Sequence, residues 1–214
     1  NYQKILNFIA NSSKFYQSAV TPSIIAVTKT QPESVIIEAI KAGISSFGEN
    51  RVQEALIKYK NIKANNKQVK LHMIGPLQTN KVKKALEIFD FIHSLDRENL
   101  AKEFIKNINL PLFSNKFFFV QVNTGKEKQK SGIGFDEADG FIKYCLHDLK
   151  LNVIGLMCIP PVNDNPSTHF VLLKKLAMQN HLHHLSMGMS GDYTIALKNG
   201  ATFIRIGSLL FGDR

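Results

Sequence analysis

Cysteine is scarce: Cys145 and Cys158 are the only two in 214 residues, and their spacing fits neither a zinc ligand set nor a redox pair. A reduced, cytoplasmic setting is the expectation. Long apolar runs are missing too, so no membrane span is expected, and no segment has the form of a signal peptide. The sequence opens on Asn1 rather than methionine, so the natural start is expected upstream. Linkers, low-complexity tracts and internal repeats are absent, so one domain covering residues 1–214 is expected.

Acidic residues are few beside basic ones, 17 against 27, for a formal net charge of +10 at pH 7. An excess of this size can serve a nucleic-acid partner. Here the lysines are scattered through helical segments, with no basic stripe interleaved with aromatics, and a solvated surface is the better reading. No nucleic acid is expected as partner. Hydrophobic residues make up 44% of the chain and charged residues 21%, which fits a globular protein with a sizeable core.

What is present is an alternation. Strands are predicted at 24–28, 45–48, 69–74, 91–94, 116–123, 151–157, 182–185 and 201–206. An amphipathic helix leads in over 2–19, and helices separate the strands, among them 33–42 ending at Gly43, 78–86, 136–148 and 190–199. Asp96 is a candidate cap for a helix with an apolar face of Leu100, Ala101, Phe104, Ile105 and Ile108. Eight strands alternating with helices predict an α/β fold, a (β/α)8 barrel on the small side of its range. A doubly wound open sheet is the rival, because pattern does not show whether a parallel sheet closes.

In Ile24-Ile25-Ala26-Val27-Thr28-Lys29-Thr30, four apolar residues run into a lysine. Such a run reads as a buried parallel strand ending in a loop. A lysine at its carboxyl end is partly desolvated, which favours the neutral nucleophile and suits Schiff-base chemistry. The plainer reading has Lys29 capping the strand and reaching to water.

Barrel sites lie at the carboxyl ends of the strands. Polar and glycine-rich clusters sit at those ends here: Lys29, Gly48-Glu49-Asn50-Arg51, His72 with Gly75, His93-Ser94, Asn123, Ser186-Met187-Gly188-Met189-Ser190 and Arg205-Ile206-Gly207-Ser208. The last two clusters match the place where barrels often hold a phosphate. Ser190 reads either as an anion contact at a helix start or as that helix's N-cap. Arg205, between Ile204 and Ile206, should point into the barrel mouth and needs an acceptor: Asp192, Glu49 or a ligand. His181, His183 and His184 lack a carboxylate or cysteine at ligand spacing, so no metal is expected.

Several of these stretches together resemble the pyridoxal-phosphate homeostasis family, also called the YggS or PROSC family. They are Ala26–Thr30, Phe47–Glu54, His72–Lys81, Val122–Gly132, Gly155–Pro161, Leu185–Asp192 and Arg205–Arg214. Gly191 and Pro76 stand at positions the family varies. The resemblance implies a single barrel like the N-terminal domain of alanine racemases, with an extra N-terminal helix. It implies pyridoxal 5'-phosphate held as a Schiff base on Lys29, with Asn50 near the ring. Ser190, Gly207 and Ser208 would hold the phosphate, and Arg205 would face the pyridine nitrogen. His72 and Ser186 complete the expected cofactor-binding set.

The implied function is intracellular buffering or delivery of the cofactor without substantial turnover. Recipient apoenzymes are the partners such a role allows, and a monomer is expected. The alternative is an amino-acid racemase, which needs a second base opposite the lysine. Alanine racemases draw it from a second, β-rich domain of a partner subunit. The sequence ends at Arg214, directly after the last strand, so that domain is expected to be absent.

Overall fold

Short β-branched runs between amphipathic helices leave one productive packing: strands inside, helices outside. The computed structural model takes this form, and it describes residues 1–16, 21–107, 115–125, 127 and 129–212. The strands are β1 (Ser23–Val27), β2 (Ser46–Glu49), β3 (Lys70–Met73), β4 (Phe91–Leu95), β5 (Phe117–Asn123), β6 (Ile133–Gly134), β7 (Val153–Met157), β8 (His184–Met189) and β9 (Phe203–Ile206). All pairings are parallel, in the order β4-β3-β2-β1-β9-β8-β7-β5, and β4 pairs with β5 to close the ring. Closure removes both sheet edges and excludes the open sheet. The two-residue β6 pairs only with β5, outside the ring.

The helices are α1 (Tyr2–Tyr16), α2 (Glu33–Lys41), α3 (Val52–Asn65), α4 (Val82–Ile88), α5 (Glu98–Lys106), α6 (Phe135–Lys143), α7 (Pro166–Gln179), α8 (Tyr193–Lys198) and α9 (Ser208–Phe211). Their apolar faces cover the outward side chains of the strands. Ile36 and Ala39 of α2, Leu100, Ala101 and Phe104 of α5, and Phe170 and Leu173 of α7 join Phe47, Leu71, Ile92, Phe118 and Ile204 in one buried cluster. The leading helix α1 buries Ile5 and Ile9, and its Phe8 meets Tyr193 of α8 edge-on at 5.7 Å.

The barrel interior is aromatic rather than aliphatic. Phe203 of β9 lies within 6.1 Å of the rings of His72, Phe91, His93, Phe119 and His184, which come from four other strands. His72 stacks on Phe91 at 4.3 Å and His93 on Phe119 at 4.2 Å.

Several expectations shift. The segment expected as a helix over 78–86 begins instead with a 3-10 turn, Thr79–Lys81, before α4. The seventh strand of the barrel starts at His184 and runs to Met189, where the sequence pattern ended it at 185. Its Ser186, which faces the inside of the ring, and Gly188, which packs against α8, both read as loop. Asp96 does not cap α5: it takes the Arg97 guanidinium at 2.6 Å, and Arg97 is the cap position. Ile108 lies outside the described residues.

Candidate functional site

Four strand ends converge on one cavity of about 510 Å³. Lys29 comes from the loop after β1, Asn50 from the residue after β2, Ser190 from the turn after β8, and Arg205, Gly207 and Ser208 from β9 and its exit. The walls between them are apolar, with Val27, Ile74 and Ile159. Lys29 is half-buried, while Thr28 before it is fully buried.

Arg205 is 4% exposed. One guanidinium nitrogen donates to Ser186 Oγ at 2.9 Å and another to the Cys158 carbonyl at 2.9 Å. Both acceptors are neutral. Neither Asp192 nor Glu49, the carboxylates expected from sequence, bonds it, and it has no ion pair with any described residue. Burial pushes its pKa down from the ordinary value, yet a guanidinium stays charged in proteins. A buried cation with no ion-pair partner among the described residues, only the more distant attraction of Asp192, therefore borders the cavity that Lys29 also lines.

In the same lining, the Gly207 N–H donates to Ser190 Oγ at 3.4 Å. Ser190 is not a helix cap. Helix α8 starts three residues later, at Tyr193, and its turn is closed by the Met189 N–H donating to Asp192 Oδ1 at 2.6 Å. That settles the capping alternative and leaves the hydroxyl beside the cavity. Gly188 has φ +91°, and a Cβ there would stand 2.5 Å from the Ala196 Cβ, so this glycine lets β8 seat α8. Across the mouth, a Cβ on Gly75 would stand 2.5 Å from the Asn50 carbonyl oxygen, so Gly75 permits the approach of Asn50.

His72 and Ser186 are not at the cavity wall. They lie one layer deeper, because inward side chains in a barrel stack in layers. Ser186 is paired with Phe203, two residues before Arg205 on β9. From Arg205 a buried chain of hydrogen bonds runs inward. Ser186 accepts from Arg205, so its own proton goes to His93 Nδ1 at 2.8 Å. His93 then carries its proton on Nε2 and donates to His72 Nδ1 at 2.9 Å. His72 Nε2, at the inner end, is buried with no partner. Burial holds His72 neutral, with a pKa of about 3, and pushes His93 well below the ordinary histidine value.

A second cavity, about 630 Å³, adjoins at Asn50 and includes Arg51, Lys81, Arg97 and Ser131 in its lining. Its charged side chains are exposed or half-buried, and Arg97 is satisfied by Asp96 and the Leu77 carbonyl. The three histidines near β8 diverge: His181 and His183 are exposed, and His184 packs on Phe203 inside the barrel. Among the described residues no group of three metal-ligating side chains comes together.

Sequence reasoning missed the residues behind Lys29. Thr28 Oγ1 donates to Glu49 Oε1 at 2.8 Å, and the Lys58 ammonium reaches Glu49 at 2.7 Å and Glu54 at 2.9 Å. The signal available was the spacing of Glu54 and Lys58, four apart on one helix face.

This fold and site define the class, a closed parallel barrel of the alanine racemase N-terminal type, with a lysine, a buried guanidinium and a serine–glycine turn at the carboxyl ends of its strands. Residues 6–214 match the family described as "Alanine racemase, N-terminal domain". A pyridoxal phosphate homeostasis protein of Aquifex aeolicus is 41% identical over 203 residues, covering 89% of this chain and 86% of that protein. PipY of Synechococcus elongatus PCC7942, in a structure with PLP bound, superposes with a TM-score of 0.77 at 32% identity, covering 95% of this chain and all of PipY; in a structure without PLP the TM-score is 0.81. Alanine racemase of Acinetobacter baumannii, 16% identical with a TM-score of 0.72, shares the fold over 99% of this chain and 58% of its own. The chain belongs to the pyridoxal phosphate homeostasis family.

Proposed function

We propose that this protein binds pyridoxal 5'-phosphate through Lys29 and serves cofactor homeostasis, buffering or delivering it without substantial turnover. The observation that carries the reading is Arg205, a buried cation with only neutral partners, facing the cavity that Lys29 also lines. That cavity lacks an acceptor for the guanidinium and has a serine–glycine anion contact in its lining, which fits a ligand bearing both a ring acceptor and a phosphate. Membership in the family and the likeness to PipY, solved with PLP bound, support the same ligand.

When bound, the cofactor supplies an aldehyde carbon with which a lysine amine condenses, the aldehyde oxygen leaving as water with the two amine protons. Lys29 is the residue assigned to that carbon. Ser190, Gly207 and Ser208 are assigned to the phosphate, and Asn50 to the ring. Arg205 is assigned to the ring nitrogen. A guanidinium has protons to give and no lone pair to accept one. The nitrogen it meets therefore stays unprotonated, and the ring is a poor sink for negative charge.

The 214 residues act as one domain and one monomer, in the cytoplasm, with cofactor-requiring apoenzymes as recipients. Among the described residues no helix is long and apolar enough to cross a membrane. The test is the visible spectrum with added cofactor, followed by borohydride and peptide mapping. The expected result is a yellow protein with the cofactor fixed on the Lys29 peptide, and none fixed in Lys29→Ala. Fixation on another lysine defeats the assignment.

A further inference from the structure

We propose that Lys58 is a positioning residue for Lys29: its ammonium clasps the backbone on both sides of Lys29 and, with Glu54, holds Thr30 in the left-handed conformation that sets the lysine loop. The proposal rests on Lys29 being the cofactor lysine.

Thr30 has φ +66°. For a β-branched residue this conformation is rare and persists only where the surroundings impose it. The surroundings here are specific. The Thr30 N–H donates to Glu54 Oε1 at 2.6 Å. Lys58 Nζ donates to the Thr28 carbonyl at 2.7 Å and contacts the Gln31 carbonyl at 3.3 Å, on the two sides of Lys29. It also meets Glu54 at 2.9 Å and Glu49 at 2.7 Å. An ammonium has three protons, and these acceptors leave none for water.

The clasp is anchored from below. Thr28 Oγ1 donates to Glu49, which leaves Tyr59 O–H to donate to Thr28 Oγ1 at 2.6 Å. Glu49 and Tyr59 are fully buried, and Lys58 is 8% exposed. Lys58 is thus unlike the surface lysines that dominate this basic chain. Glu54, Lys58 and Tyr59 all belong to α3, whose first residues line the second cavity, and Asn50, two residues before it, lines both. One helix therefore fixes the Lys29 loop and the neighbouring wall in a single frame.

A merely structural role would lower stability without changing how folded protein captures its ligand. The experiment compares two probes on the full chain. Pyridoxal 5'-phosphate reports covalent capture, read as borohydride-fixed Lys29 peptide against time. Pyridoxine 5'-phosphate lacks the aldehyde and reports noncovalent binding alone. Glu54→Leu and Lys58→Met should slow capture about tenfold or more, the scale of one lost charged hydrogen bond. Both should bind pyridoxine phosphate within about twofold of the parent, far below that tenfold scale.

Glu54→Gln keeps an oxygen for the Thr30 N–H and should capture nearly as the parent does. Thr30→Gly removes the need for a clamp at φ > 0, so adding it to Glu54→Leu should restore much of the rate. If Lys58→Met does not fold, the Glu54 and Thr30 variants still decide the matter. Parent-like capture in Glu54→Leu overturns the clasp, as does equal weakening toward both probes. A parent protein that fixes no cofactor on Lys29 overturns the cofactor reading itself, and the clasp with it.

Discussion

Lowering the pH from 7 to 5 acts on two side chains at the centre of the barrel. His72 is fully buried with a pKa pushed down to about 3, chiefly by loss of hydration. His93, bonded to it at 2.9 Å, is pushed well below the ordinary value by burial and then by the charges of its neighbours. Both are neutral in the folded protein across this range, while the unfolded chain titrates them near 6.5. The folded pKa lies below the unfolded one, so the stability these groups contribute is fully present above about pH 6.5 and is lost as the pH falls. The slope approaches about 1.4 kcal/mol per pH unit for each histidine, or about 2 kcal/mol apiece between pH 7 and 5. Together they should remove about 4 kcal/mol, a large part of a domain's ordinary stability.

Urea unfolding of cofactor-free protein at constant ionic strength measures this directly. His72→Phe should remove about half of their contribution and His72→Phe with His93→Phe the rest, leaving the smaller same-direction effect of His184, whose pKa burial also lowers. Ring stacking on Phe91 and Phe119 makes phenylalanine a tolerable substitute. Glu49, whose pKa is raised by burial, acts in the opposite direction, and the comparison between variants cancels it. A parent curve that is flat between pH 7 and 5, or an equally steep curve in the double variant, would refute the claim that the barrel centre is a neutral histidine pair.

Other expectations concern the cavity. Ser190→Ala should weaken cofactor retention by about 1.5–3 kcal/mol, roughly ten- to a hundredfold, with little change in melting temperature; unchanged affinity would move the phosphate elsewhere. Gly207→Ala should fold normally, because the added Cβ meets only Val27 at 3.6 Å, whereas Gly188→Ala should lower stability by about 1–3 kcal/mol through its positive φ and its clash with Ala196. Burial pushes the Cys158 thiol up to about 12, so thiol reagents should label it only on unfolding; fast native labelling would contradict the packing. With cofactor bound, alanine and serine should show no rapid Lys29-dependent Cα exchange in deuterated water, and exchange coupled to loss of optical activity would restore the racemase reading.

The barrel was legible because its strands are buried on both faces and its helices on one. Continuous runs such as Ile24–Val27 and Phe117–Val120 then alternate with the 3.6-residue spacing of segments such as Leu100, Ala101 and Phe104. Closure was not legible, since it depends on the pairing of the first strand with the last, β1 with β9, across nearly the whole chain. The end of β8 was misread for a related reason. Ser186 is polar because it bonds Arg205 and His93 inside the barrel, Gly188 is small because α8 packs against it, and a sequence pattern scores both as loop.

The same interior explains which residues of the candidate cavity the sequence marks. Lys29, Asn50, Ser190 and Gly207 stand just beyond strand ends, where a change from apolar to polar marks the rim. His72 and Ser186 give the same mark one layer too deep. Their polarity serves Arg205: Ser186 accepts its proton, His93 orients that serine, and His72 accepts from His93. All three are neutral, so the chain fixes the guanidinium in place without cancelling its charge. A carboxylate in place of Ser186 would hold Arg205 more strongly, and it would also satisfy it. A neutral tether leaves the positive charge without an ion-pair partner at the cavity, open to an incoming acceptor. Ser186→Asp should therefore fold, with Arg205 paired internally, and lose selective retention of pyridoxal phosphate in equilibrium dialysis. Undiminished retention would show that Arg205 serves the barrel and not the ligand.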